Sequence, residues 1–357
     1  LTEHDWMIYG ATGFTGALVT EEAVRRGHRP LLAGRSESKL KALAGRLGLN
    51  YVTVSLNDMA ALTQAVKRVR LVFHCAGPFS QTSAPMLRAC LTAGAHYLDI
   101  TGELPVFENV YAYDSAAKQR RIALIPGCGM DVIPTEGLAR YVADQIKDPL
   151  ELEIAFTSTL TRRPSTGTGQ SAIEIIARGG LERRNGQLAA LPLGQGGQQV
   201  RFSHGERYAI PIPWGDLSAA HRATGIPNIT TLMAMRRTQA RLAQLFGPLA
   251  GLLLNVPPIR RLAQGIAGRT QAGPDAKTRQ TGRTHVWARA MDVKGNTAEA
   301  WLDTLEAYQF TAVAGVSAVE KTLAGKLSGA LTPSQAFGAD FVLEIQTTKR
   351  MDSLKQY

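Results

Sequence analysis

Apolar and polar positions change rhythm along the chain. From residue 6 to 125, short β-rich apolar runs alternate with longer segments whose apolar positions recur at helical spacing. The runs Trp6–Tyr9, Pro30–Ala33, Tyr51–Val54, Leu71–Cys75, Tyr97–Ile100 and Ala123–Ile125 predict strands. Helices are predicted between them at Phe14–Arg26, Ser36–Leu47, Asp58–Val66, Ser83–Ala93 and Val106–Lys118. Ser36 and Asp58 stand where N-caps belong, and Gly27, Gly48 and Gly94 where helices stop. Strands separated by helices require right-handed crossovers, which makes this an α/β domain with a doubly wound parallel sheet covered on both faces.

Beyond Pro126 the alternation stops. A glycine-rich bend at 127–134 follows the sixth run, and a helix from about Pro134 to Ile146 leads away from it. Leu152–Leu160, Gln195–Tyr208 and Thr284–Ala290 predict strands of an antiparallel or mixed sheet, with Asn185-Gly186 a hairpin turn. A loop at 162–169 precedes a predicted helix at Gln170–Arg178, and 270–283 reads as a polar loop. Val313–Leu327 is helix-like, and Thr332-Pro333 caps a last segment reaching Phe341.

Within this second part, Leu242–Ile259 runs eighteen residues without a charge, between Arg236, Arg237, Arg241 and Arg260, Arg261. Gly247-Pro248, Asn255 and Pro257-Pro258 interrupt it, which argues against a membrane span. Two readings stay open: a buried helical hairpin or dimer contact, and a surface-seeking or acyl-binding element with basic shoulders.

Composition adds three points. The net charge of +11 is concentrated in residues 156–300, which hold 19 basic and 7 acidic side chains, while residues 1–155 hold 16 of each. That field suits an anionic small-molecule substrate or a peripheral membrane contact. No nucleic-acid motif accompanies it: paired Cys/His ligands, an RNP-like aromatic run and a continuous basic helix are all missing from the sequence. Cys75, Cys90 and Cys128 have neither metal spacing nor an even-numbered framework, so no metal is expected. With no charged-then-apolar leader recognisable, the expected compartment is the reducing cytoplasm.

The chemistry begins where the first strand ends. Gly10-Ala11-Thr12-Gly13-Phe14-Thr15-Gly16 places glycines at G-x-x-G-x-x-G, entered by a strand and left by a helix. A dinucleotide pyrophosphate needs that tight turn, bare N–H groups and a positive helix end. At the end of the second strand, where NAD-type sites usually carry an acid, stands Arg35, with Ser36 and Lys39 beside it. A guanidinium and a hydroxyl suit a 2′-phosphate, so the expected cofactor is NADP. The later strand ends should border the same crevice: Ala76, Gly77, Pro78 and Phe79, then Gly102, then Gly127 and Cys128. The domain division expected is a dinucleotide-binding Rossmann domain over 1–150 joined by 334–357, and a mixed α/β substrate or dimerisation domain over 151–333, with a homodimer as one arrangement.

The motifs Gly-Ala-Thr-Gly-Phe-Thr-Gly, Ala-Gly-Arg-Ser, Cys-Ala-Gly-Pro-Phe, Tyr-Leu-Asp-Ile-Thr-Gly-Glu and Gly-Cys-Gly-Met-Asp-Val-Ile-Pro-Thr-Glu occur in that order. Together they resemble the saccharopine dehydrogenase-like oxidoreductases, and more narrowly the trans-acting enoyl reductase type. Resemblance continues through Ser165–Thr168, Gly215–Arg222 and Thr332–Gly338. It implies a nicotinamide-dependent reductase with a Rossmann domain, a mixed second domain and a C-terminal segment packed on the first. The substrates of such proteins include C=N groups of amino acids and conjugated C=C groups of lipid-like polyketides.

No Tyr-x-x-x-Lys pair follows the fourth strand, so the proton donor must be sought elsewhere. Glu103, Asp131 and His221 are the catalytic candidates, with Tyr97 a further one. For Asp99, Glu103 and Asp131 the competing role is a helix cap or a loop hydrogen bond. The functional expectation is NADPH-dependent reduction of an enoyl or imine group in a small or lipid-like metabolite. The alternative is a cofactor-binding scaffold or regulator without turnover.

Overall fold

The computed structural model describes residues 4–159, 165–169, 173, 176, 179–192, 194–254, 256–270 and 273–354. The helix expected over Gln170–Arg178 lies almost wholly outside them, as do Leu160, the loop positions 162–164 and Asn255. The chain divides into two compact units, Leu1–Asp131 with Tyr308–Phe337, and Val132–Ala307 with Gly338–Tyr357.

The first unit starts with β1 (His4–Tyr9), α1 (Phe14–Arg25), β2 (Leu31–Gly34), α2 (Glu37–Leu47), β3 (Tyr51–Thr53) and α3 (Met59–Val66). It continues with β4 (Val69–His74), α4 (Phe79–Ala93), β5 (His96–Asp99), α5 (Leu104–Tyr111), α6 (Asp114–Arg120) and β6 (Ala123–Ile125). The second unit follows with α7 (Ile133–Ala143), β7 (Glu151–Ser158), β8 (Gly180–Arg184), β9 (Gln187–Leu191), β10 (Gln198–Phe202), β11 (Gly205–Pro211) and α8 (Asp216–Thr224). Next come β12 (Asn228–Met235), α9 (Arg237–Leu254), α10 (Pro257–Thr270), α11 (Ala276–Thr281), β13 (Arg283–Met291) and β14 (Thr297–Leu305). The chain then returns to the first unit in α12 (Ala307–Ala324), β15 (Gly329–Ala330) and α13 (Pro333–Phe337) before ending in the second with β16 (Lys349–Met351).

Among the described residues the first unit holds a seven-stranded sheet in the order β15-β6-β5-β4-β1-β2-β3, and its pairs are parallel. The six predicted strands are its six central and outer members up to β6. Met7, Leu31, Val72, Tyr97 and Leu124 from the sheet share one core with Leu62, Met86, Leu87 and Val106 from the helices. Such near-continuous apolar strands are what two covered faces demand. The single helix expected at Val106–Lys118 is two, α5 and α6. Asp114 explains the second: its Oδ1 accepts the N–H of Ala330, which fastens β15 beside the start of α6.

The division expected from sequence is corrected at both joints. The first unit ends at Asp131 rather than near 150, and its returning piece is 308–337 rather than 334–357. Helix α12 packs on the first sheet so closely that a Cβ on Gly315 would stand 2.5 Å from the Phe73 ring. Residues 338–357 instead belong to the second unit, because β16 hydrogen-bonds antiparallel along β14, with Trp301 opposite Met351. Thr332 does cap α13: its Oγ1 accepts the N–H of Gln335, while Gln335 Oε1 accepts the N–H of Thr332.

The second unit is built on a mixed sheet, β10-β11-β12-β7-β13-β14-β16, with the β8–β9 hairpin paired to β12. The β7–β12 pair is parallel and the others are antiparallel. The Asn185-Gly186 turn closes β8–β9 with positive φ at both residues, 49° and 78°, as a two-residue hairpin requires. Phe202, Leu232, Trp287 and Trp301 gather into a core on this sheet. The stretch expected as a polar loop at 270–283 contains the short helix α11, whose N-cap Asp275 accepts the N–H of Thr278 at 2.7 Å. No helix among the described residues is long and apolar enough to cross a membrane.

Candidate dinucleotide site

The turn after β1 is dictated by its glycines. Gly10 takes φ +84°, and a Cβ there would stand 2.9 Å from Ala76 Cβ. A Cβ on Gly16 would approach Gly10 O to 2.2 Å, so α1 can pack against the turn only without a side chain. Gly10 N–H and Ala11 N–H both donate to Ala33 O, at 2.9 and 3.4 Å, tying the turn to β2. Gly13 is the N-cap of α1, with no side-chain cap and no acid in the first turn. The N-terminal N–H groups of this helix therefore keep their positive end for a pyrophosphate.

At the end of β2, Arg35 is exposed and makes no hydrogen bond or ion pair among the described residues. Its charge works against the burial that raises the Tyr9 phenol. Ser36 caps no helix N–H with its side chain although it is the N-cap of α2, and Lys39 is exposed. A cation and a hydroxyl are thus free of competing helix-capping duty where a ribose 2′-phosphate would lie. Glycines that only a bare backbone can satisfy, an open helix end and this basic corner all fit NADP.

The remaining expected positions line the carboxyl ends of β4, β5 and β6. Cys75 N–H donates to Tyr9 O at 2.8 Å, keeping the Ala76–Phe79 loop beside the glycine turn. Thr82 Oγ1 donates back to Ala76 O at 2.5 Å. Asp99 is the organiser of the next two loops: Oδ1 accepts from Thr101 N and Gly127 N, and Oδ2 from Tyr97 OH at 2.6 Å. Burial drives its pKa up to about 6 despite these donors. Tyr97, whose hydroxyl is spent on this carboxylate and which is fully buried, stands as a structural group. Cys128 is buried with Sγ against Ile125 O at 3.3 Å, and its N–H donates to Asp99 O. The three cysteines are free.

Of the three acid–base candidates, Glu103 and Asp131 come together in the first unit. Glu103 accepts Phe79 N–H with Oε1 at 2.9 Å and Ser80 N–H with Oε2 at 2.7 Å. It caps α4, and those bonds hold the Pro78-Phe79 corner. Asp131 packs onto Gly102, where a Cβ would stand 2.7 Å from Oδ2. Loss of solvation, then the charge of Glu103, pushes the Asp131 carboxyl up to about 7. His221 belongs to the second unit, in α8, where its Nδ1–H donates to Ile226 O at 2.8 Å and closes the helix end.

Three contributors lay outside the sequence reading. Tyr308 and Thr311 return from α12: the Tyr308 ring meets Phe14 edge-on at 5.0 Å, and Thr311 Oγ1 accepts Met130 N–H at 3.0 Å. His74 ends β4 inside a cage of Tyr9, Phe79 and Tyr97. Thr82 spends its proton on Ala76 O, so His74 Nε2–H donates to Thr82 at 3.1 Å, and burial lowers the ring pKa to about 3. A lone histidine closing an apolar strand was the one available signal for it. For Tyr308 and Thr311, far off along the chain, there was none. Among the described residues no cluster of His, Cys, Asp and Glu could hold a metal.

A parallel sheet, a glycine turn aimed at a helix end and a basic corner after the second strand define a dinucleotide-binding protein of the Rossmann class. Residues 6–125 match the saccharopine dehydrogenase NADP-binding domain. Over that stretch the chain is similar to the saccharopine dehydrogenase-like oxidoreductases. It is 30% identical to a mouse saccharopine dehydrogenase-like oxidoreductase over 249 residues, covering 60% of this chain and 58% of that protein. It is 33% identical to the trans-acting enoyl reductase of Mycobacterium tuberculosis over 142 residues, covering 38% of this chain and 34% of the relative. The chain thus spans between about a third and three fifths of the length of these curated relatives. Among solved structures, the apo saccharopine dehydrogenase (L-Glu forming) of Saccharomyces cerevisiae superposes with a TM-score of 0.62 at 10% identity, over 98% of this chain and 100% of that one. That likeness is one of fold.

Proposed function

We propose that the protein is an NADPH-dependent reductase of a conjugated C=C or C=N group in a small or lipid-like metabolite. The observation that carries this reading is Asp131, a carboxyl with a pKa pushed up to about 7 in the loop at the carboxyl end of β6, on the sheet edge that also presents the glycine turn. An acid half-protonated at neutrality is suited to give a proton to a substrate. When bound, NADPH supplies the hydride. The chain's own residues do the rest. The N–H groups at the start of α1 hold the pyrophosphate, Arg35 and Ser36 hold the 2′-phosphate, and Glu103 keeps the Pro78-Phe79 corner in place.

The mycobacterial relatives named trans-acting enoyl reductase favour the C=C reading over the imine one. The cationic excess of residues 156–300 favours an anionic substrate. The test is NADPH consumption over a panel of enoyl thioesters and cyclic imines, with Asp131→Asn beside the unaltered protein. The expected result is turnover of one class, with kcat lowered about 10²-fold or more in the variant and NADPH affinity unchanged. Tight NADPH binding with no turnover of either class would replace this reading by the scaffold one.

A further inference from the structure

Helices α9 and α10 carry their side chains the wrong way round for a soluble hairpin. At about 100° per residue, Leu242, Leu245, Phe246, Leu249, Leu252 and Leu253 of α9 fall within one arc about 120° wide. These are exposed, Leu245 by 74%, Leu252 by 69% and Phe246 by 60%. The opposite side, which meets the protein, is built from Ala240, Ala243, Gly247 and Gly251. A surface helix normally buries its large apolar residues and exposes its polar ones. Here the protein side takes the small residues and solvent takes the leucines. Ile259, Leu262 and Ile266 continue an exposed stripe along α10, and Val256 joins the two helices. The apolar surface presented is on the order of 1,000 Å², against the ~300–600 Å² of the largest patch on an ordinary monomer.

The charge around this surface has one sign. Between Asp216 and Asp275 there is no Asp or Glu, whereas Arg236, Arg237, Arg241, Arg260 and Arg261 stand at the ends of the apolar run. Arg236, Arg237, Arg241 and Arg261 are exposed. This complementarity selects the occupant. A second copy facing the same surface across a twofold would bring arginines against arginines. A single acyl chain would cover only a fraction of so long a stripe.

We infer that the α9–α10 hairpin is an interfacial anchor that lies on an anionic lipid bilayer, its leucines in the acyl boundary and its arginines at the headgroups. Among the described residues neither helix is long and apolar enough to cross a membrane; an amphipathic pair lying in the interface plane needs no crossing. The inference concerns the second unit and does not rest on the reductase reading.

The test is co-sedimentation of the full chain with vesicles of phosphatidylcholine alone or of equimolar phosphatidylcholine and phosphatidylglycerol. Binding is expected to the anionic vesicles and to weaken as salt is raised. The combined change Leu245→Gln, Phe246→Gln, Leu249→Gln and Leu252→Gln should lower that binding at least about tenfold. Arg236→Gln with Arg241→Gln and Arg261→Gln should remove the preference for anionic over neutral vesicles. Unchanged NADPH affinity would show that the variants are folded. Should the glutamine variant not fold, Leu245→Trp serves instead, its emission shifting blue on anionic vesicles and being quenched by brominated lipid. Background sedimentation of the unaltered protein with both vesicle types would overturn the inference. So would a dimer abolished by the glutamine changes in a protein that binds no vesicle.

Discussion

The glycine turn at 10–16 and the α9–α10 hairpin are both recognisable by eye in the sequence, yet they are constrained in opposite ways. In the turn, the protein's own backbone chooses each residue: a Cβ on Gly16 would stand 2.2 Å from the Gly10 carbonyl oxygen, and Gly10 needs both a positive φ and the space beside Ala76. In the hairpin, the protein-facing side asks only for small residues, and nothing among the described residues asks for leucine at 242, 245, 249 or 252. A residue type required from inside reports on the fold. One with no demand from inside points to whatever meets it from outside.

The sharpest way to break this contrast is at the turn. Gly16→Ala should force the turn off α1, weakening NADPH binding by about a hundredfold or more and lowering stability by about 1–3 kcal/mol. Calorimetric binding equal to that of the unaltered protein would show that the turn gives way easily. Arg35→Asp comes next. It should weaken NADPH about ten- to a hundredfold, the scale of a charge-assisted hydrogen bond, and leave NADH nearly unaffected. Equal effects on the two cofactors would remove Arg35 from the 2′-phosphate.

A third effect tests the interior of the first unit by pH. His74 is buried with a pKa of about 3, below its unfolded value near 6.5, so the neutral ring's contribution is complete above pH 6.5 and is lost as pH falls toward 3. Between pH 6.5 and 5 that loss amounts to about 2 kcal/mol. Asp99 and Asp131 act with the opposite sign, because their folded pKa values are raised to about 6 and 7. Their contribution is present in acid and fades as pH rises through those values. Comparing melting curves of His74→Gln with the unaltered protein cancels the aspartates. The variant should show the shallower acid loss, and parallel curves would mean that the ring protonates without cost.

The smallest expected effect is on the hairpin. Leu249→Gln should change stability by no more than about 0.5 kcal/mol in the absence of lipid, as an uncovered surface position would. A loss of 2 kcal/mol or more would show that the protein itself covers this face, and the two regions would no longer differ in kind.

How much was legible follows the same division. Local backbone demands are written locally, so the strands of the first unit, the glycine turn, the Asn185-Gly186 hairpin and the Thr332 cap could be read at their positions. Asp99, Glu103 and Asp131 were visible only as acids at strand ends. Their different duties depend on which N–H groups and charges face them. Glu103 meets the first N–H groups of α4, Asp99 meets three donors, and Asp131 meets a glycine and a like charge. The unit boundaries were misplaced because α12 and β16 choose between sheets by packing and free edges, which no local pattern records.

By itself, then, the sequence determined the parallel α/β domain, the dinucleotide turn and the basic corner that suits NADP. These depend on residues close together in the chain, under steric rules that act at that range. The tertiary structure decided which carboxyl is raised toward neutrality, that α12 and not the C-terminal segment completes the first sheet's unit, and that the leucines of α9 face outward. Those depend on desolvation, shared edges and the side of a helix that meets the protein, and each of these exists only once distant segments have been brought together.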